Sequence, residues 1–415
     1  MRTSFASLAV AFCAFRACFV AAVTTPLLSV ERYQGKVSGR YIIQFKEGAS
    51  YESSSLYQEV SSRAKGGITK LDIINGISGV FNEDTINKFR SSPDVALISE
   101  DGIMTSMATQ TGAPWNLARI SSKTRLTGSA TVLNFTYNYD GSGGKGVDIY
   151  VVDTGKATKY ILGIIVLTLQ HLFGNKLSRH LEPEFGGRAS WGATFGGYAN
   201  VDGNGHGTHI AAIAAGSTYG VAKLANIIAV KALSDAGSGA VSDIISGINW
   251  SANNAQKTGR PGVIILSLGG SASVAMDNAV KAVIAGGIHV CVASGNSNQD
   301  ASTSSPARVP EALTIAASTF ADARLGTGNY GSLIDFYAPG ENILSAWIGG
   351  SAPRRLTGSS VATPHVAGLV AYLIALKGNQ TPAAMASTLD QLSLKGVLTG
   401  VPANTRNNLI SNGYY

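Results

Sequence analysis

Val147-Asp148-Ile149-Tyr150-Val151-Val152-Asp153-Thr154-Gly155 is a strand-length run, apolar nearly throughout, that stops on a carboxylate and a glycine turn. A parallel strand covered on both faces reads this way, because neither face is left to water. Similar runs follow at residues 227–233, 263–268 and 288–293. Amphipathic helical stretches separate them at residues 206–215, 241–254 and 274–285. Strands alternating with helices build an α/β sheet with helices on both faces. In such sheets chemistry gathers beyond the carboxyl ends of the strands, which is where Asp153 stands.

The rest of the chain frames that sheet. It has 415 residues, 45% of them hydrophobic and 14% charged, with 49 glycines. That is enough apolar surface for a compact, loop-rich protein of two or three domains, and it excludes a disordered chain. The net charge is +7 and the pI about 9.2. Arg354-Arg355 is the one adjacent basic pair, and no basic helix face stands out. Neither a nucleic-acid nor a membrane partner is therefore expected, and the protein reads as a monomer. Arg2, the apolar residues 5–23 and the small residues Val20-Ala21-Ala22 read as a secretory signal over residues 1–22, with Arg16 interrupting it. The expected location is extracellular. Cys13 and Cys18 fall inside that signal, so the exported chain keeps Cys291, which sits in a core-like run and has no internal disulfide partner. Glycosylation sequons occur at Asn134, Asn249 and Asn379, with Asn249 on a helix. Between residues 38 and 104 the pattern β-α-β-α-β predicts a separate small α+β unit.

Three further segments carry chemistry, in the order Asp, His, Ser. Asp153 ends its strand. Asp202-Gly-Asn-Gly-His206-Gly-Thr-His209 is a glycine turn that opens a helix. Gly358-Ser359-Ser360-Val361-Ala362-Thr363-Pro364-His365 is another, with Pro364 in the first turn, where its missing N–H is harmless. A serine hydroxyl becomes a nucleophile when a neighbouring base takes its proton. An imidazole can accept that proton and return it to a leaving amine. A buried carboxylate fixes the imidazole tautomer and stabilises the imidazolium. A serine at a helix start also brings its own N–H, and the helix dipole, to a developing oxyanion. Asn296, in Ala293-Ser294-Gly295-Asn296 after the strand of Cys291, can supply a second donor. Other patterns carry less. Gly141-Ser-Gly-Gly-Lys-Gly146 matches a dinucleotide fingerprint but precedes a strand instead of following one. No glutamate completes a zinc-protease motif around His206 and His209. His209, His289 and His365 read as packed helix or core residues.

These motifs resemble the subtilisin superfamily, and within it the proteinase K-like fungal branch. The resemblance also takes in Ala113-Pro-Trp-Asn-Leu-Ala-Arg-Ile-Ser-Ser122, Tyr219-Gly-Val-Ala-Lys223 and Ser345-Ala-Trp-Ile-Gly-Gly350. It implies a subtilisin-like parallel sheet over residues 108–415, preceded by an inhibitory propeptide of ferredoxin-like α+β fold over residues 38–107. It implies a secreted serine endopeptidase of broad specificity that cleaves itself near Met107–Ala108, leaving Met104-Thr-Ser-Met107 in the cleft. The implied roles are Asp153, His206 and Ser360 as triad, His206 being chosen over His209, with Asn296 in the oxyanion hole. Gly237-Ser238-Gly239 and Ser267-Leu268-Gly269 would clamp a peptide substrate as flanking strands. Ala293-Ser294-Gly295 would line the primary pocket, leaving room for large apolar side chains. No cofactor is implied for the chemistry. A structural calcium is implied at the Asp335 carboxylate and the Pro310 and Ala312 carbonyls.

The sequence departs from the pattern in places. Ser359 stands for the usual threonine, Val361 for methionine and Ala212 for glycine. Residues 160–179 interrupt a segment that reads normally without them. Their apolar stretch Ile161-Leu-Gly-Ile-Ile-Val-Leu-Thr-Leu169 is too short to span a membrane and, if exposed, would invite aggregation. Two readings stand: translated intron of about 60 nucleotides, or a genuine surface insertion. Sequencing the transcript across Lys159–His180 separates them.

Overall fold

The computed structural model describes residues 27–33, 37–61, 67–102, 107–156, 184–349 and 352–414. The expected signal peptide and the interrupting residues 160–179 lie outside them. The chain divides into two compact units, Met1–Ile103 and Met104–Tyr415.

In the first unit, strands β1 (Val30–Glu31), β2 (Val37–Phe45), β3 (Ile68–Leu71), β4 (Gly76–Gly79) and β5 (Val95–Gly102) form one sheet, ordered β1-β5-β2-β4-β3. Helices α1 (Ser55–Ser61) and α2 (Glu83–Ser91) complete it. From β2 onward the path is β-α-β-β-α-β, the split pattern of ferredoxin-like units. Sequence reading missed β1 and β3, which are short and carry little alternation. Helix α2 starts where Asn82 Oδ1 accepts the Thr85 N–H at 2.9 Å, with acids in its first turn and bases in its last. Its Ile86 and Phe89, three apart on one face, pack with Ile43, Phe45, Ile77 and Ile98 of the sheet.

In the second unit, β6 (Met107–Ala113) pairs antiparallel with β7 (Phe135–Asp140), and α3 (Trp115–Ile120) lies between them in sequence. The expected cleavage point falls inside β6: Met107 pairs with Asp140 and Ala108 with Tyr139. Met107 is therefore a strand residue of the second unit in the uncut chain. The main sheet contains β8 (Asp148–Asp153), β9 (Ala189–Thr194), β10 (Asn226–Lys231), β11 (Gly262–Leu266), β13 (His289–Ala293), β15 (Leu313–Ser318), β16 (Phe336–Pro339), β19 (Leu394–Lys395) and β20 (Asn408–Leu409). Their order is β19-β20-β16-β15-β13-β11-β8-β10-β9, parallel apart from the β19–β20 pair. Small pairs flank it: β12 (Gly270–Ser271) with β14 (Ser304–Ser305), and β17 (Ile343–Ser345) with β18 (Arg354–Leu356).

Both faces of the sheet are covered, as the unbroken apolar runs require. Along β8, Ile149 and Val151 point into one cluster with Ile210, Ile213 and Val366, on helices α4 (His206–Ala215) and α7 (Ser359–Lys377). Tyr150 and Val152 point the other way, to Ile248 and Val280 on α5 (Val241–Thr258) and α6 (Val274–Ala285). The two-residue period thus assigns each β8 side chain to a layer. Helix α7 is long and apolar enough to cross a membrane, yet most of it is buried in this core. Strand β11 ends earlier than expected, releasing Ser267, Leu268 and Gly269 to the sheet's carboxyl edge. A final helix, α8 (Pro382–Leu392), is capped by Thr381.

Candidate active site

Two strand ends and two helix starts meet at that edge. Asp153, 1% exposed, closes β8, and His206 opens α4. The His206 Nδ1–H donates to Asp153 Oδ1 at 2.8 Å and faces Oδ2 at 2.9 Å. The Thr154 N–H donates to Oδ1 at 2.7 Å. The start of α4 can approach this turn because residue 207 is glycine; a Cβ there would lie 2.0 Å from the Gly155 carbonyl oxygen.

A second buried carboxylate holds this half together. Asp202 accepts from the Thr154 hydroxyl, the Asn204 and Gly205 amides, and the amide and hydroxyl of Thr208 at 2.6–3.1 Å. The Gly207 N–H in turn donates to Thr154 Oγ1 at 3.0 Å. Burial works against a charged His206, but the charges of Asp153 and Asp202 and the Asp153 hydrogen bond prevail, and its pKa lies above the usual histidine value. With Nδ1 committed to Asp153, Nε2 is the nitrogen left for the cleft that His206 lines.

The other half is neutral. Asn296 follows β13, and its Oδ1 accepts the Ser359 N–H at 2.8 Å. The amide is thereby oriented with Nδ2 as its remaining donor. Ser359 Oγ accepts the Gly295 N–H at 3.1 Å, and Ser267 Oγ donates to the Ser360 carbonyl at 2.8 Å. Ser360 lies in the first turn of α7, partly exposed, with Gly358 before it. A Cβ on Gly358 would come 3.0 Å from Asn296 Nδ2, so the missing side chain leaves the amide its place.

The expected substrate segments line two adjoining cavities. One, of about 510 Å³, is bordered by His206, Ser360, Asn296, Gly237, Ser238, Gly239, Ser267, Leu268 and Gly269. It is also lined by Leu233, Val241, Ile244 and Met276, which were not among the expected substrate residues. The other, of about 670 Å³, is bordered by Ala293, Ser294, Gly295, Asn296 and Ser360, and also by Gln299 and Asn329. Both have the size of ligand pockets.

The other buried histidines have structural partners. His209 donates through Nε2 to the Ile343 and Arg354 carbonyls at 3.1 and 3.0 Å, and burial pulls its pKa down to about 4. His365 bonds Val361 O and Asn116, and burial lowers its pKa to about 3. His289, 1% exposed, donates to Asn379 Oδ1 at 3.2 Å. Cys291 is fully buried, and burial raises its thiol pKa far above the reactive range. Asn249 is exposed on α5, as expected, but the Ser251 hydroxyl of its sequon is buried and donates to Gly247 O at 2.8 Å.

Asp335 bonds the Thr314 amide through Oδ2 at 2.9 Å, which sets its carboxyl two residues from Ala312 at the head of β15. Burial pushes its pKa up to about 6, and the cation facing it is Arg406 at 3.4 Å. An under-compensated carboxylate beside the carbonyl-bearing 310–312 loop fits the oxygen donors that calcium prefers.

Comparison with known proteins identifies the scaffold. A family model described as the Subtilase family, peptidase S8, matches residues 144–408. The chain is 37% identical to a cuticle-degrading protease of Metarhizium anisopliae over 382 residues, 91% of this chain and 90% of that one. It is 40% identical to alkaline protease 1 of Emericella nidulans, covering 88% and 89% of the two. A solved cold-adapted subtilisin-like serine proteinase, 36% identical, superposes with a TM-score of 0.62 over 73% of this chain and 99% of its own. With an α/β sheet, an Asp–His pair and a helix-opening serine at its carboxyl edge, the chain belongs to the subtilase family of serine endopeptidases.

Proposed function

We propose that Asp153, His206 and Ser360 hydrolyse peptide bonds through an acyl-enzyme. Ser360 Oγ attacks the scissile carbonyl carbon while His206 Nε2 takes its proton. Carbonyl electrons move onto oxygen, where the Ser360 N–H and Asn296 Nδ2 stabilise them. Collapse breaks the C–N bond, and the imidazolium returns the proton to the leaving amine. Water then repeats the sequence on the acyl-enzyme. The Asp153 carboxylate holds the imidazole in the tautomer the step needs.

The single observation carrying this reading is that Asp153 grips His206 Nδ1 at 2.8 Å while His206, Ser360 and Asn296 line one cleft. A phosphonate serine reagent should label Ser360, and Ser360→Ala should lose both labelling and casein digestion. Labelling without casein digestion would make the chain an esterase; neither in the unsubstituted chain would make it an inactive binding homologue.

The clamp segments recognise backbone, which supports broad specificity. The first unit supports a zymogen reading, with residues 38–107 as propeptide and self-cleavage near Met107–Ala108, and the signal-like residues 1–22 support export to the extracellular space, where we read the protein as a monomer. Cleavage there requires Met107 and Ala108 to peel from β7 first. Mature N-terminal sequencing that begins far from Ala108 would refute it. Calcium, held by Asp335 with the Pro310 and Ala312 carbonyls, would neutralise that carboxylate and brace β15. A chelator should then lower Tm by several degrees, and Asp335→Asn should abolish that response.

A further inference from the structure

Asn329 lies on the chain between β15 and β16 and is 1% exposed. All of its resolved hydrogen bonds go to residues 294–299. Its Nδ2 donates to Ser294 O at 2.8 Å. Its Oδ1 accepts from the Ser297 and Gln299 amides at 2.9 and 3.2 Å. Its own backbone N–H donates to Gly295 O at 3.0 Å. Asn296 sits inside this ring of four bonds. Gly295, at φ +99°, presses against the same side chain: a Cβ there would come 2.4 Å from Asn329 Nδ2.

Asn329 thus has a donor and an acceptor facing opposite sides of one loop, and asparagine has that inventory at that length. Aspartate would set a second acceptor against Ser294 O. Alanine would leave the Ser297 and Gln299 amides without their side-chain acceptor. The two segments would still be joined by Asn298 N to Thr327 O at 2.8 Å, Tyr330 N to Gln299 O at 3.0 Å and Ala301 N to Tyr330 O at 2.8 Å. Loss of the side chain therefore frees Ser294 O and the Ser297 and Gln299 amides, while the backbone bonds, Asn329 N to Gly295 O among them, stay.

We propose that Asn329 is a positioning residue that presets the Asn296 amide for the oxyanion and fixes the adjoining wall of the 670 Å³ pocket. This rests on Asn296 being an oxyanion donor. An oxyanion donor of that kind is worth ~10²–10³ in turnover, a figure that comes from subtilisin itself. Preorganisation acts on the transition state, so the effect belongs in kcat more than in KM.

The test is a double-mutant cycle in the full chain on a chromogenic peptide, with active sites counted by phosphonate labelling of Ser360. Asn329→Ala should lower kcat per labelled site about 10-fold with KM within about 3-fold. In the Asn296→Ala background the same change should cost less than about 2-fold, because the group it positions is gone. Asn329→Asp should be at least as damaging as alanine. An equal loss in both backgrounds, or a lower labelled fraction with unchanged kcat, would reduce Asn329 to a structural residue. If alanine prevents folding, Asn329→Ser supplies the same cycle. Failure of the unsubstituted chain to label at Ser360 would sink the nucleophile assignment instead, a different result from a flat cycle.

Discussion

The two halves of the site are assembled alike and held differently. Each joins the carboxyl end of a buried strand to the start of a helix: β8 to α4 on one side, β13 to α7 on the other. The Asp153–His206 half is organised around charge. Asp202 gathers five hydrogen bonds in the interior, and the buried Lys231 lies close by. The Ser360–Asn296 half is organised by neutral groups: Ser359, Ser267 and Asn329. Charge reaches through space and depends on pH, whereas neutral hydrogen bonds act over contact distance. The first half should therefore respond to substitution in rate and pH profile, the second in rate alone.

The largest effects test that difference at its centres. Asp153→Asn should lower kcat about 10⁴-fold, the scale of the same change in other serine-protease triads, because it admits the wrong imidazole tautomer. Asn296→Ala should cost about 10²–10³. Steady-state kinetics at one pH measures both, and a larger loss at Asn296 would invert the ranking. Asn296→Ala should also leave the acid limb of kcat/KM in place.

Asp202→Asn comes next. Catalysis needs neutral His206, so activity rises with pH through its pKa, which the carboxylates hold above the ordinary 6.5. Removing the Asp202 charge lowers that pKa, and the acid limb should move to lower pH. The new amide also sets N–H groups among donors, so stability should fall by about 2–4 kcal/mol. Denaturant unfolding and a pH–rate profile measure the two together. An unmoved limb would mean that Asp202 acts on geometry alone.

The sequence made some of this legible and hid the rest for a physical reason. Helices over residues 206–215 and 274–285 were read to their ends, since glycines punctuate them and Ser273 caps the second. The triad residues and Asn296 stood out because each ends a run or opens a turn. Asp202 was visible within its motif but not its role, because its partner Thr154 is 48 residues away. Asn329 gave no local sign at all: it meets Ser294 across 35 residues, through a loop whose packing no periodicity describes. Leu233, Val241, Ile244 and Met276 gave no sign of lining a cleft, because apolar residues at a cleft wall and in a core share one pattern.

Lys231 gives the smallest and most discriminating test. It read as part of an apolar strand, yet it is a cation 1% exposed, in register with Asp153 on the neighbouring strand. Its Nζ donates to Thr154 O at 2.7 Å and Asp235 Oδ1 at 2.8 Å. Asp235 also accepts the Gly203 N–H at 3.2 Å and, through its carbonyl, the Asn204 side chain at 2.9 Å, so the strut reaches the turn before His206. A positive charge there disfavours the imidazolium, opposite in sign to Asp202. Lys231→Met keeps the volume and removes the charge, and Asp235, with 56% of its side chain exposed, can turn to water. The acid limb should then rise by a few tenths of a pH unit, with the plateau rate within about 3-fold. A shift downward would mean that Lys231 acts by holding Thr154 in place and that its charge does not reach the imidazole. Asn329→Ala, in the neutral half, should leave the limb where it stands, so the pair of profiles separates a field from a contact.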